Sequence, residues 1–281
     1  MSLLLCVLCV LCGNSAVQTL KERRMMRFGV CVSTVEEIAT IAQAGFDFCE
    51  LPARAVQPFA DEAAALPAMR AWAAAALPAE AFNLLVPGEL PLCGPRADHA
   101  ALRDYAQRAF SRMAQLGGQV AVLGSGAARH IPDGFPHDAA LDQLADAIAV
   151  LAEESARTGV DLALEHLNHG ESNVFTTLAE AHSFLAERGL AQARLLVDLH
   201  HLELEHEPFA HVVAAAPLIA HVHVAGGGRG APGVVGYDYA GFMAAVKQTG
   251  YKGRISAECR WNDLAMQAEG ALVFMRAQWK A

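Results

Sequence analysis

The amino-acid sequence predicts an α/β protein built as a single-domain (β/α)8, or TIM, barrel. Three observations predict it. Eight short apolar or β-branched runs alternate with Ala-rich helical stretches from Met26 onward. Glycines close several of those stretches just before the next apolar run. The chain has 281 residues, close to the ~250 that one such barrel uses.

The elements follow in chain order. Apolar runs occupy 27–32, 46–51, 81–86, 119–123, 160–165, 194–198, 219–224 and 254–258. Their hydrophobicity is continuous rather than alternating, which marks parallel strands buried on both faces. Helices are expected at 34–44, 97–116, 137–158, 176–188, 239–249 and 263–278, with weaker ones at 62–76 and 207–215. Gly45, Gly117, Gly159, Gly189 and Gly250 follow helical stretches, where a residue just past the last turn takes the left-handed conformation at least cost if it is glycine. A doubly wound sheet is the alternative. It calls for a phosphate-binding glycine loop after the first strand, and Gly29-Val30-Cys31-Val32-Ser33 does not supply one. No linker or low-complexity segment divides the chain, and its internal repeat is the βα unit itself.

Bulk properties exclude several functions. Hydrophobic residues make up 54% of the chain, enough for a large core, and the net charge is −9. Proteins that bind duplexes carry a basic face. The one basic cluster here is Lys21-Glu22-Arg23-Arg24, so no nucleic-acid partner is expected. Seven cysteines, odd in number and scattered, read as reduced thiols rather than a disulfide framework. Cys6, Cys9 and Cys12 have metal-like spacing, but no second ligand pair follows them. The apolar stretch LLLCVLCVLC is too short to span a bilayer, and no Lys or Arg precedes it as a signal would require. Residues 1–24 therefore read as an N-terminal extension or a poor signal-like segment, and 25–281 as the barrel. The cytoplasm is the expected location, with export left open by that stretch, and no membrane partner is expected.

Barrels of this kind work at the carboxyl ends of their strands. The fifth run ends on Glu165 and the sixth on Asp198, with His200 and His201 just beyond. The seventh carries His221 and His223, and the eighth ends on Glu258. Successive groups Glu165, Asp198, His223 and Glu258 stand 33, 25 and 35 residues apart, each about one βα unit. A lone carboxylate at a strand end is usually a solvated rim residue or a helix-cap partner. Four such groups in register argue instead for a shared ligand, because buried charges must be paired or bound to metal. Three carboxylates with one imidazole suit one divalent ion, Mn²⁺, Mg²⁺ or Co²⁺, better than a structural zinc. His221 and His223 share a strand face, so one is a ligand and the other a hydrogen-bonded core histidine. His200 and His201 point opposite ways, so at most one of them faces the site easily. The run Glu203-Leu204-Glu205-His206-Glu207 reads as a solvated loop, and Arg129 and Arg260 as the two cations that could help a phosphate.

Four pieces carry a resemblance: Glu165-x-x-Asn168-x-x-Glu171, Asp198-x-x-His201, His221-x-His223 with Arg229, and Glu258. On them the chain resembles the xylose isomerase-like barrels, specifically the sugar phosphate isomerase/epimerase group with its ketose 3-epimerases and hydroxypyruvate isomerase. The resemblance runs from about Met26 to the end. It implies metal ligation by Glu165, Asp198, His223 and Glu258, catalysis by Glu165 and Glu258, and substrate contacts from Glu171, His201 and Arg229. The segments 83–95 and 122–135 stand where this group places substrate-facing loops. Relatives often carry an acidic residue three positions after the strand-seven metal histidine; here that position is Gly226. AP endonucleases share the fold but use three zinc ions and further histidines, which the second and third runs do not offer.

The implied reaction is isomerisation or epimerisation of a sugar or sugar phosphate through a metal-stabilised enediolate. Two carboxylates on different strands would give epimerisation, and one shuttling a proton between neighbouring carbons would give isomerisation. The alternatives are a metal-dependent lyase or dehydratase acting on an inositol-like ketone, an endonuclease-like hydrolase, and a sugar-binding barrel without catalysis. Expected partners are a small sugar or hydroxyketone and, as an open expectation, copies of the chain itself.

Overall fold

The computed structural model describes residues 26–234 and 236–281. The N-terminal segment 1–24, with Cys6, Cys9 and Cys12, lies outside the described residues. Eight parallel strands close into a barrel in sequence order: β1 (Arg27–Cys31), β2 (Phe48–Pro52), β3 (Ala79–Asn83), β4 (Val120–Leu123), β5 (Asp161–Glu165), β6 (Arg194–Asp198), β7 (Ile219–Val224) and β8 (Arg254–Ala257). Pairing of Val30 with Ala257 closes the ring between β1 and β8.

The helices outside the ring are α1 (Val35–Gln43), α2 (Glu62–Ala73), α3 (His99–Gln115), α4 (Gly126–Arg129), α5 (His137–Thr158), α6 (Leu178–Glu187), α7 (Leu199–Leu204), α8 (Ala210–Ala214), α9 (Tyr239–Gln248) and α10 (Leu264–Lys280). Side chains satisfy the free N–H groups at several starts. Thr34 and Glu37 cap α1 reciprocally, while Asp61, Asp98, Thr177 and Asp263 cap α2, α3, α6 and α10. Gly159 ends α5 in the left-handed conformation, with φ of 75°. No helix among the described residues is long and apolar enough to cross a membrane.

One core lies between ring and helices and includes Ile38, Ile41, Phe110, Leu151, Phe242 and Leu272. A second, smaller core fills the ring itself: Phe48, Ala81, Val120, Val122, Ala163 and Leu196. Strand side chains alternate with period two, so the residue two places past each floor residue also faces inward. Phe48 leads to Glu50, Ala81 to Asn83, Ala163 to Glu165, and Leu196 to Asp198. This alternation lays an apolar floor under a polar layer at the carboxyl ends. At the opposite end Glu80 ties down Arg27 and Arg254, each at 2.5 Å.

Two local features differ from the sequence expectations. The third strand is Ala79–Asn83 rather than 81–86, because Leu84 turns out of the sheet with φ of 49°. Leu85 N–H then donates to Val122 O at 3.1 Å as the chain leaves. His200 and His201, just past the end of β6, lie on the short helix α7, and both are buried. Asp198 starts that helix, its Oδ1 accepting the His200 N–H at 2.7 Å.

Candidate metal and sugar site

The ends of β5, β6, β7 and β8 each bring one group to a common point. Glu165 closes β5 and its backbone carbonyl accepts from Arg129 Nη1 at 2.6 Å. Asp198 closes β6 with Oδ1 engaged in capping α7, which leaves Oδ2 to turn inward. His223 pairs with Asp198 in the β6–β7 register. Glu258 follows β8, and its N–H donates to Val224 O at 3.0 Å, extending the parallel pairing by one residue. The structure brings one ligand atom from each of Glu165, Asp198, His223 and Glu258 within 4.8 Å of the others. His223 Nδ1 stands 3.6 Å from Glu165 Oε1 and 3.3 Å from Glu258 Oε2.

Whether these residues fit a divalent cation is answered by their unused atoms. Glu165 Oε1, Asp198 Oδ2 and His223 Nδ1 are buried and lack a hydrogen-bond partner among the described residues. Unpaired buried polar atoms are costly, and here they converge. Three carboxylate oxygens with one imidazole nitrogen make a hard donor set, suited to Mn²⁺, Mg²⁺ or Co²⁺. The residues therefore fit the group.

The surrounding charges set the carboxyls apart. Burial holds Glu165 above the ordinary carboxylate range, with Glu258 adding to the rise and His223 opposing it. Burial also pushes Asp198 and Glu258 upward, but it is outweighed. His201 and Arg229 bring Asp198 down strongly, and His223 and Arg229 bring Glu258 down.

The three other groups expected at the site reach it differently. Arg229 pairs with Glu258 through Nη2, and its Nη1 stands 3.5 Å from Asp198 Oδ2. His201 is fully buried, with Nε2 at 3.6 Å from Asp198 Oδ2 and 3.8 Å from Glu165 Oε1. Glu171 is exposed and touches neither, but Asn168 connects it. The Asn168 amide nitrogen donates to Glu171 Oε1 at 2.9 Å and lies 2.9 Å from His201 Nδ1. An amide N–H at Nδ1 leaves Nε2 as the protonated nitrogen of His201, aimed into the site. His200 is held by Tyr237, its Nδ1 at 2.7 Å from Tyr237 Oη, with one ring nitrogen within 4.8 Å of ligand atoms of Glu171 and His201.

A cavity of about 260 Å³ opens over this layer, lined by Leu84, Glu165, Glu171, Arg229 and Glu258 among others. It adjoins a cavity of about 670 Å³ lined by Pro52, Phe59, Val86 and Tyr105. The two share Leu84, Ser125, Gly126 and Ala127.

Two residues carry more than the sequence suggested. Glu50 is fully buried and bonds both His221 and His223 at 2.8 and 2.9 Å. Its signal was a lone carboxylate inside the apolar FCEL strand, a position that requires a partner. Arg129 does not serve a phosphate: it is fully buried, and its guanidinium donates to the carbonyls of Leu123, Glu165 and Phe175. Nor is the acidic run after α7 simply solvated. Glu205 holds His169, and buried Glu207 accepts from the first N–H groups of α6.

The comparisons agree with this architecture. The sequence model of the xylose isomerase-like TIM barrel family matches residues 38–278. An L-ribulose 3-epimerase from Methylomonas sp. (strain DH-1) is 34% identical over 128 residues, 44% of this chain and 45% of that one. A 3-dehydro-D-guloside 4-epimerase from Escherichia coli (strain K12) is 28% identical over 136 residues, 47% of this chain and 52% of that one. The match thus spans about half the length of these relatives. Among solved structures, a D-allulose 3-epimerase from Methylomonas sp. superposes with a TM-score of 0.78 at 23% identity, over 91% of this chain and 98% of that one.

Proposed function

For a chain that belongs to the xylose isomerase-like TIM barrel family, we propose a divalent-metal-dependent sugar isomerase or epimerase. The observation that carries this reading is the placement of Glu165 and Glu258 on either side of His223 Nδ1, at 3.6 and 3.3 Å, under one sugar-sized cavity. Glu165, Asp198, His223 and Glu258 would hold the cation. When bound, it would supply Lewis acidity for the negative charge that develops on the substrate oxygens.

The chain's own residues do the rest. The carbon beside a ketose carbonyl is acidic enough to lose its proton to a positioned carboxylate. Glu165 and Glu258 come from strands three places apart round the ring, so they approach the bound sugar from different sides. One removes the proton, and the other, protonated, returns one to the opposite face. The net change is inversion at that carbon, with no proton gained or lost. His201, through Nε2–H, and Arg229, through its guanidinium, donate to substrate oxygens. Glu171 acts through Asn168 to keep His201 in the donating tautomer. The relatives named as 3- and 4-epimerases support inversion over transfer between C1 and C2.

Screening five- and six-carbon ketoses in D₂O with added Mn²⁺ tests the reading. The parent protein is expected to wash deuterium into at least one of them. Glu165→Gln and Glu258→Gln are each expected to abolish that exchange with circular dichroism unchanged. Exchange at the parent rate in either variant overturns the two-carboxylate assignment.

A further inference from the structure

The donor set above the floor has a supporting group beneath it. Glu50 lies on β2, and β2 is three strands from β7 round the ring, so its contacts with β7 cross the barrel interior. Oε1 of Glu50 accepts from His223 Nε2 at 2.9 Å, and Oε2 accepts from His221 Nε2 at 2.8 Å. All three residues are fully buried. An ionised carboxylate only accepts, so both ring nitrogens that face it must carry their protons.

That requirement reaches the site above. With Nε2 of His223 protonated and spoken for, only Nδ1 offers a lone pair. Nδ1 is the atom that faces Glu165 and Glu258, and it has no hydrogen-bond partner among the described residues. The ring cannot swing freely, because it packs edge-on against His221 with centroids 5.0 Å apart. His221 is fixed in turn by Glu50 and by Ser256 Oγ at 3.1 Å. One carboxylate therefore sets tautomer and orientation together for the single nitrogen donor of the cluster.

We propose that Glu50 is a positioning residue that locks His223 as the Nε2–H tautomer and thereby sets how tightly the four-donor site holds its cation. This rests on the metal reading of Glu165, Asp198, His223 and Glu258. Glu50 acts through His223, since both of its oxygens are engaged by ring nitrogens. Groups that orient a ligating histidine in this way typically change metal affinity 10- to 100-fold. Glutamine at this position keeps the size but loses an acceptor. Its amide oxygen can take one Nε2–H, while its NH₂ confronts the other ring and demands a lone pair there.

The test is metal binding rather than turnover. Mn²⁺ is titrated into metal-stripped parent and Glu50→Gln by calorimetry, and the visible bands of the Co²⁺-loaded proteins are compared. The expected result is a dissociation constant raised on the order of 10- to 100-fold in E50Q, with shifted Co²⁺ bands. A purely structural role would lower the melting temperature and leave both readouts alone. His221→Gln, which leaves Glu50 on His223 Nε2 but removes the ring packed against His223, is expected to weaken Mn²⁺ binding less than E50Q does. Equal Mn²⁺ affinity in parent and E50Q overturns the proposal while leaving the metal reading intact. A parent that binds no Mn²⁺ overturns both. Should E50Q not fold, Glu50→Asp replaces it, keeping the charge but drawing it back by one methylene. Weakened Mn²⁺ binding in E50D then supports the proposal, and parent affinity overturns it.

Discussion

Gly124, just past β4, offers a way to move the proposed catalytic carboxylate of Glu165 without replacing it. A Cβ at this position would lie 2.2 Å from Glu165 Oε2, whereas ordinary contact begins at 3.4 Å. Gly124→Ala must therefore drive the carboxylate back by about 1.2 Å, the difference between those distances. A misplacement of about 1 Å in a reacting group costs on the order of 100-fold in rate. Gly124 has no left-handed backbone to lose, so the stability cost is limited to crowding, about 1–3 kcal/mol. The assay is the initial rate of solvent deuterium incorporation into the best ketose, with thermal melting alongside. Gly270→Ala on α10 is the control. Nothing lies within 4 Å of its added Cβ, and alanine in a helix interior gains about 0.5–1 kcal/mol over glycine with no change in rate. If G124A turns over at the parent rate while folded, the position of Glu165 does not govern the reaction and the reasoning fails.

Three other outcomes are expected. Arg129→Met strands carbonyls of Leu123, Glu165 and Phe175 inside the protein, so urea unfolding should show a loss of about 3 kcal/mol or more; a loss below about 1 kcal/mol would show those carbonyls satisfied elsewhere. Stripping divalent ions with a chelator should lower the melting temperature, and Mn²⁺ at 100 times its dissociation constant should restore about 2.7 kcal/mol; a melting temperature indifferent to both treatments contradicts a resident cation. Burial pushes the thiols of Cys49 and Cys93 up to about 12 and about 11 from an ordinary 9.0. Their folded values are raised, so the stability they contribute is complete below pH 9 and drains as pH climbs toward 11–12. The double variant Cys49→Ser, Cys93→Ala should show a shallower alkaline fall in melting temperature, and an unchanged slope would acquit both thiols.

How far the sequence could be read depended on the range of the interaction involved. Strand ends at Glu165, Asp198 and Val224 were legible because continuous apolar runs stop there. The third strand was misplaced because Leu84-Leu85-Val86 looks like strand by hydrophobicity. Only the left-handed turn at Leu84 ends it early, and a half-exposed leucine with φ of 49° leaves no trace in periodicity. The spacing of the four strand-terminal groups anticipated their convergence, since the βα repeat fixes which ends share a rim. The helix α7 that begins right after Asp198 was not legible, because six residues are too few for a helical period and its start depends on Asp198 Oδ1 accepting the His200 N–H. Glu50 and His221 are separated by 171 residues, so their bond depends on barrel closure. Arg129 looked like an available cation because its carbonyl partners belong to the backbone and have no residue identity to read.

The proposed cation donors occupy one arc of the ring, β5 through β8, while the roomy, mostly apolar hollow is built by the segments after β2, β3 and β4. Under the proposed function, reaction and selectivity fall to separate semicircles whose cavities share Leu84 and the stretch from Ser125 to Ala127. Loop exchange on the first semicircle can retune which molecules enter without disturbing a single donor on the second. The far end of any occupant there would meet a mostly greasy wall, with Arg54 and Glu89 as its charged points.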